Sequence, residues 1–342
     1  MSRPRSAVVA VTRSAAPPWW WPHVEWASLG CDIDYWPVVL PAGRPRRLLS
    51  AEFLSMCWQI VAALTRARRE RHAYVFTFEC DWSTFLIAAI QTALFMRRPR
   101  HVVLQFIMRE PTPGLASRVK YAVMGWCFRS VYRVVCSARR ECAYYERVFG
   151  WPAGTALFVP LHTDPAYLER SGEPAGDFAI AAGRTFRDYA TLLAAVEGTQ
   201  VPLVIVASPA ALESAVVPAG VEVRYDLPGQ ELAALIARSA VVVVPLRSRE
   251  ISIGQSVLLE AMAMGKAVVV TRVPGTEDYV EHMETGWLVP PGDPAALRDA
   301  LTTLVADPAL RTRIGEAARR RVLSHYLPRH YAAGVAQSFA RA

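Results

Sequence analysis

Ser252-Ile-Gly-Gln-Ser-Val-Leu-Leu-Glu-Ala-Met-Ala-Met-Gly-Lys-Ala-Val-Val-Val-Thr271 reads as a turn, a short helix carrying one carboxylate, a second turn and a strand. The run just upstream, Ala240-Val-Val-Val-Val-Pro245, is apolar without alternation, as a parallel strand covered on both faces must be. Ser252 and Gln255 have capping-box spacing, which predicts a helix starting near Ile253 with amide N–H groups exposed around Gly254, Gln255 and Ser256. A helix end of that kind attracts an anion, and Gly254 lets the backbone approach one closely. Gly265 suits the left-handed residue that closes the helix before Ala267–Thr271. Glu260 stands about two turns in. Helical side chains lean toward the amino terminus, so its carboxylate either accepts hydroxyl protons from whatever the turn holds or is a solvated helix glutamate.

Outward from that stretch, apolar runs alternate with helix-period segments. Candidate strands are Ala7–Thr12, Ala73–Phe78, Val102–Ile107 and Tyr132–Ser137, then Phe178–Ala182, Val201–Ala207, Val221–Tyr225, Val241–Leu246 and Ala267–Thr271. Alternation of this sort predicts an α/β protein with parallel sheets covered by helices on both faces. At 342 residues, 53% of them hydrophobic, the chain has enough apolar material for two cores. The polar stretch Asp164–Asp177 reads as a hinge between a first domain at 1–165 and a second at 178–325, with a tail helix at 326–342.

Four segments carry a family resemblance. Leu259–Val270, Pro274-Gly-Thr-Glu-Asp-Tyr-Val280 and Gly286-Trp-Leu-Val-Pro-Pro-Gly-Asp293 resemble the donor half of family 4 glycosyltransferases, retaining enzymes of the GT-B fold. Gly183-Arg-Thr-Phe-Arg-Asp-Tyr-Ala-Thr-Leu-Leu193 resembles the family's second signature, and the likeness extends over roughly 178–325. It implies two Rossmann-like doubly wound domains facing a cleft, with the tail helix crossing back to the first. It also implies transfer of a sugar from a UDP- or GDP-linked donor to a hydroxyl acceptor, with retention of configuration and without metal or other cofactor. On this match Arg184 and Arg187 grip the diphosphate beside Gly183, Glu260 binds the ribose, and the base lies against the turn Tyr225–Gln230 at Leu227. The family's usual pair of glutamates is incomplete, because the position seven residues before the second acid is Ser252, and Glu250 lies two residues too early. Either Ser252, a backbone amide or a shifted Glu250 would take the sugar contact.

The acceptor half resembles the family weakly. Nine of ten tryptophans lie at or before Trp151, three of them as Trp19-Trp20-Trp21 directly after the first strand. Loops at the carboxyl ends of such strands face ligands, so these rings are expected either as an acceptor floor or as packing against the hinge or a neighbouring subunit. Asp81 and Glu110, with Glu79 and Arg109 beside them, occupy comparable strand ends and are candidates to orient the acceptor, against the alternative of solvated loop residues. His162 reads as structural. The expected acceptor is a glycan, a lipid-linked intermediate or a natural product.

Charge is uneven. Residues 1–165 hold 21 Arg and Lys against 11 Asp and Glu, hence +10, and the remainder 17 against 19, hence −2. The basic, aromatic segment Arg118–Arg140 reads either as a helix for an anionic membrane surface or as a core-facing helix with a solvated basic face. No nucleic-acid-binding module is recognisable, and none is expected as a partner. Six cysteines without a Cys-x-x-Cys pair indicate neither a zinc site nor a disulfide framework. No apolar run approaches the ~18 residues of a membrane span, and Met1–Arg13 lacks a signal-peptide pattern, so the chain is expected in the cytoplasm, as a candidate peripheral protein at the inner membrane face. A nucleotide-sugar epimerase or phosphorylase on the same fold, and a noncatalytic docking protein, remain as alternatives.

Overall fold

The computed structural model describes residues 6–12, 20–21, 24–38, 51–173, 176–213 and 215–340. Two compact units emerge, one comprising 1–159 with 331–342 and the other 160–330.

The first unit contains β1 (Ser6–Thr12), β2 (Cys31–Pro37), α1 (Ala51–Arg69), β3 (Tyr74–Thr77), α2 (Trp82–Ala93), β4 (Arg100–Val103), α3 (Leu115–Cys127), β5 (Val131–Cys136), α4 (Arg139–Phe149) and β6 (Ala156–Phe158). Its six strands are parallel in the order β2-β1-β3-β4-β5-β6. Successive residues point to opposite faces. Accordingly Val11 and Val75 pack with Met56, Ile60 and Leu64 of α1, whereas Ala10 and Phe76 join a second core with Val135 and the buried rings of Trp20, Trp21 and Trp26.

The second unit contains β7 (Ala179–Ala182), α5 (Tyr189–Val196), β8 (Leu203–Ala207), β9 (Val221–Tyr225), α6 (Gly229–Arg238), β10 (Val241–Val244), α7 (Gln255–Ala263), β11 (Ala267–Thr271), α8 (Pro274–Glu277), β12 (Trp287–Val289), α9 (Pro294–Ala306) and α10 (Pro308–His325). Its strands, also parallel, run β12-β11-β10-β7-β8-β9. Every residue of β7, β8, β10 and β11 is buried, which is why these segments read as unbroken apolar runs. Asp188, Asp293 and Asp307 start α5, α9 and α10 by accepting from the amides of Thr191, Ala296 and Leu310. Two of these aspartates precede a proline at the first helical position, where no N–H is required.

The last helix, α11 (Pro328–Ala340), contributes Tyr331, Ala332 and Val335 to the core of the first unit. The segment expected as a hinge is instead folded within the second unit. Asp164 caps a 3-10 turn over Pro165–Arg170, and Arg170 donates to Gln230 at 3.0 Å. Three strands are absent from the sequence reading: β2, whose Asp32 and Asp34 alternate with apolar residues over a short stretch, and the three-residue β6 and β12. All three are sheet edges, where short or half-polar strands suffice.

Candidate functional site

In the second unit the chain order turns around at β7, which has β8 on one side and β10 on the other. Ligands of open parallel sheets bind outside the carboxyl ends of strands at such a switch point. The segments leaving β7 and β10 are Gly183–Asp188 and Pro245–Gly254, the two that the sequence singles out.

The backbones of these segments are tied together. Arg187 pairs with Leu246 in an isolated antiparallel bridge, the Asp188 amide donates to Pro245 O at 3.0 Å, and the Arg247 amide donates to Phe186 O at 3.1 Å. Leu246 then reaches the start of α7, since a Cβ built on Gly254 would lie 2.7 Å from its Cδ1. Gly254 also has φ of +86°, so both its conformation and its space exclude a side chain. The phosphate-turn candidates around Arg187 and the amino terminus of α7 are thereby neighbours through a single leucine.

Helix α7 begins two residues later than the capping-box reading predicts. Gly254 is the N-cap, the helix starts at Gln255, and no side chain caps it. Ser252 is 2% exposed and lies between Ile251 and Ile253, both buried, so apolar burial fixes this loop and withdraws the serine from the helix end. Glu250 is exposed, Ser256 is exposed, and Gln255 is buried with Nε2 lacking a hydrogen-bond partner among the described residues. Gly275, at the start of α8, closes the cradle from the other side, because a Cβ there would stand 2.5 Å from the Ile253 nitrogen.

Arg187 folds over its own turn. Its Nε donates to Ala182 O at 2.9 Å and its Nη1 to Thr185 O at 3.1 Å, whereas Nη2 donates to no described group. A side chain on Gly183, at φ +133°, would collide with this guanidinium. Tyr189 secures the same turn, its hydroxyl donating to Gly183 O at 2.6 Å. Burial pushes the Arg187 guanidinium below its ordinary value, the cost of holding a cation away from water. Arg184 differs. It is exposed and reaches Asp226 at 3.4 Å, in the turn that also carries half-buried Leu227. An ion pair that open to solvent adds little to stability.

Glu260 is half-buried, and burial raises its carboxyl to about 7; a hydrogen bond from Tyr167 opposes the rise and nearby Asp164 adds to it. Tyr167 and Asp164 are site residues that the sequence reading missed, because they lie in the stretch read as a hinge. The sequence carries no signal for Tyr167.

In the first unit the tryptophan expectation is corrected. Trp20 and Trp21 are 4% and 7% exposed, with rings against each other at 5.2 Å and against Phe78 at 6.3 and 5.3 Å. Tyr331 meets Trp20 edge-on at 5.2 Å. Their faces are used in the core, so they form no acceptor floor; Trp19 lies outside the described residues. Asp81 Oδ1 is taken by capping α2, accepting from the Thr84 amide at 3.0 Å and the Ser83 hydroxyl at 2.5 Å. Glu79 and Glu110 stand in the loops after β3 and β4. His162 is buried, and burial lowers it to about 4, in keeping with a structural role.

One group with metal-ligand chemistry occurs among the described residues: Asp34, Glu70 and His72, whose ligand atoms lie within 4.8 Å of one another. His72 Nε2 is 2.6 Å from Asp34 and Nδ1 is 3.8 Å from Glu70, the arrangement of an imidazole between two carboxylates. It belongs to the first unit, whereas the Arg187–Glu260 constellation belongs to the second.

The fold defines a two-unit Rossmann-like protein of the GT-B class, with the two glycine-dependent turns of the second unit meeting at its switch point. Residues 183–307 match the family described as Glycosyl transferases group 1. Among curated proteins, the chain is 32% identical over 149 residues to D-rhamnosyltransferase WbpZ of Pseudomonas aeruginosa, covering 42% of this chain and 39% of that one. It is 34% identical over 116 residues to a D-inositol 3-phosphate glycosyltransferase of Corynebacterium efficiens, covering 33% and 27% respectively. The matched stretches thus span well under half of these relatives. Solved structures resemble the whole chain: sucrose-phosphate synthase of Thermosynechococcus elongatus has a TM-score of 0.68 at 19% identity, covering 99% of this chain and all of that one. Anabaena HepE in complex with UDP-glucose also has a TM-score of 0.68, at 15% identity, covering 98% of this chain and 100% of that one. Likeness at that level of identity carries the fold.

Proposed function

We propose that the protein is a glycosyltransferase that moves a sugar from a nucleotide-sugar donor to a hydroxyl acceptor with retention of anomeric configuration. The observation that carries this reading is the meeting, through Leu246, of the Arg187 turn and the Gly254-capped end of α7 at the β7/β10 switch point. A diphosphate placed there would accept from Arg187 Nη2 and from the first amides of α7, and Gln255 Nε2 is a further donor in need of an acceptor. Glu260, within the same helix, would accept from the ribose hydroxyls. Family likeness over 183–307 supports a nucleotide-sugar donor, and HepE, solved with UDP-glucose, supports UDP as the first nucleotide to test.

In the reaction, the bond from the anomeric carbon to the diphosphate oxygen breaks as the bond to the acceptor oxygen forms, and the acceptor proton passes to a departing phosphate oxygen. Negative charge grows on the diphosphate during this step. Arg187 is held by two carbonyls before substrate arrives, so it and the helix end stabilise that charge with little rearrangement, which is electrostatic preorganisation. Arg184, exposed and paired with the likewise exposed Asp226, is available to swing toward the outer phosphate. The charge neutralisation thus comes from the protein's own groups, and the acceptor is a glycan, lipid-linked intermediate or natural product. Ser252 and Asp81 retain no place in this scheme, and Glu110 remains a candidate to orient the acceptor.

The test is titration calorimetry of UDP, GDP, ADP and dTDP into the wild type and Arg187→Ala, followed by nucleotide release from the corresponding sugar donors and NMR of the product's anomeric configuration. Micromolar binding of one nucleotide, weakened about tenfold or more by the substitution, is expected. No binding by any of the four would refute the transferase reading, and an inverted product would refute retention alone.

A further inference from the structure

Helix α3 leaves four of its large apolar residues exposed. Leu115, Val119, Val123 and Trp126 are 77%, 54%, 49% and 44% exposed. Their spacing of four, four and three places them within roughly 80° of arc at 100° per residue. Arg118 and Lys120, both exposed, fall on opposite flanks of this stripe, and Leu115–Cys127 contains no acid. The helix packs through its other side, where Tyr121 stacks on Phe149 at 6.1 Å and the Cys127 carbonyl accepts from the Thr92 hydroxyl at 2.7 Å.

That last bond brings the end of α2 beside the end of α3. Leu94 and Phe95, just past α2, are 66% and 89% exposed and extend the apolar surface. Directly beyond them, at the amino-terminal ends of β4 and β5, a surface cavity of about 600 Å³ is lined by Arg97, Arg98, Arg100, Arg129, Arg133 and Tyr132, among others. The guanidinium carbons of Arg100 and Arg133 lie 4.4 and 4.5 Å from the centroid of the Tyr132 ring, so two like charges share one aromatic support. None of the five arginines pairs with a carboxylate among the described residues. Residues 82–140 hold ten Arg and Lys and a single acid, Glu110.

An exposed stripe with a tryptophan, basic flanks and an adjoining arginine cavity is the chemistry of a helix lying in the interface of a charged bilayer. A second copy of the chain would bring like charge against like charge, and a nucleic acid would engage the arginines but leave the stripe in water. We infer that this face of the first unit docks on an anionic lipid bilayer, the α3 stripe with Leu94 and Phe95 entering the headgroup region and the arginine cavity receiving a lipid phosphate. This inference stands independently of the donor site in the second unit. No helix among the described residues is long and apolar enough to cross a membrane.

Cosedimentation with phosphatidylcholine vesicles, with and without phosphatidylglycerol, tests it on the full chain. Binding is expected only with phosphatidylglycerol, weakening as salt rises. Val123→Glu, at an exposed position, is expected to weaken it about tenfold or more, and Arg97→Glu with Arg98→Glu about fivefold per arginine. Nucleotide affinity should be unchanged in both variants. Equal binding to neutral vesicles, or full binding by Val123→Glu, would overturn the inference. So would binding of an oligonucleotide in place of vesicles.

Discussion

Replacing Glu260 by glutamine isolates the most perturbed carboxyl of the candidate site. Burial raises this carboxyl from 4.5 to about 7. For an acid whose pKa is higher folded than unfolded, the favourable contribution is complete below pH 4.5, where both states are protonated, and is lost as pH rises through 7. The interval corresponds to ~3 kcal/mol, which the partial exposure of the side chain reduces to ~2 kcal/mol. Glutamine preserves the shape and still accepts from the Tyr167 hydroxyl, but it carries no charge. In a unit of this size ~1 kcal/mol moves the melting temperature by roughly 2–4 °C, so Glu260→Gln should melt roughly 4–8 °C above the wild type at pH 8 and nearly with it at pH 5. Scanning calorimetry of both proteins at the two pH values decides the matter. A variant less stable at pH 8, or offset equally at both pH values, would refute the reasoning.

If ribose hydroxyls donate to Glu260, nucleotide binding lowers its pKa and at pH 7 releases up to about half a proton, which titrations in buffers of different ionisation enthalpy would report as unequal apparent heats. Arg187→Lys keeps the charge but loses the fork that grips Ala182 O and Thr185 O; nucleotide affinity measured by calorimetry should fall about tenfold. Gly254→Ala adds a left-handed alanine and a clash with Leu246, and urea denaturation should show a loss of ~2–4 kcal/mol. Trp20→Ala should cost ~3–5 kcal/mol by the same measurement as a core truncation, and an unchanged stability with an altered acceptor KM would contradict the packing described.

The second unit was legible because burial on both faces leaves β7, β8, β10 and β11 without polar residues, and because glycine is required where Gly183 and Gly254 stand. The first unit was less so. Its edge strand β2 alternates like a surface strand, and its tryptophans look the same in sequence whether they line a pocket or fill a core. Ser252 and Gln255 had the spacing of a cap, but Ile251 and Ile253 bury the loop and hand the cap to Gly254. Asp81, expected at the acceptor, is spent on the start of α2. The raised carboxyl of Glu260 comes from burial and from nearby Asp164, against the opposing hydrogen bond of Tyr167, and only folding brings these together.

The placement of Tyr331, Ala332 and Val335 beside Trp20 has a consequence for synthesis. The second unit is continuous in the chain and has all its strands and helices by the time residue 330 has emerged, whereas the first lacks part of its core until α11 follows. During translation, therefore, the indole cluster of Trp20, Trp21 and Trp26 waits, incompletely covered, while an entire second unit is made. In this interval the first unit is most open to chaperones and proteases, and Tyr331→Ala should prolong it, lowering the yield of protein more than it harms molecules already folded.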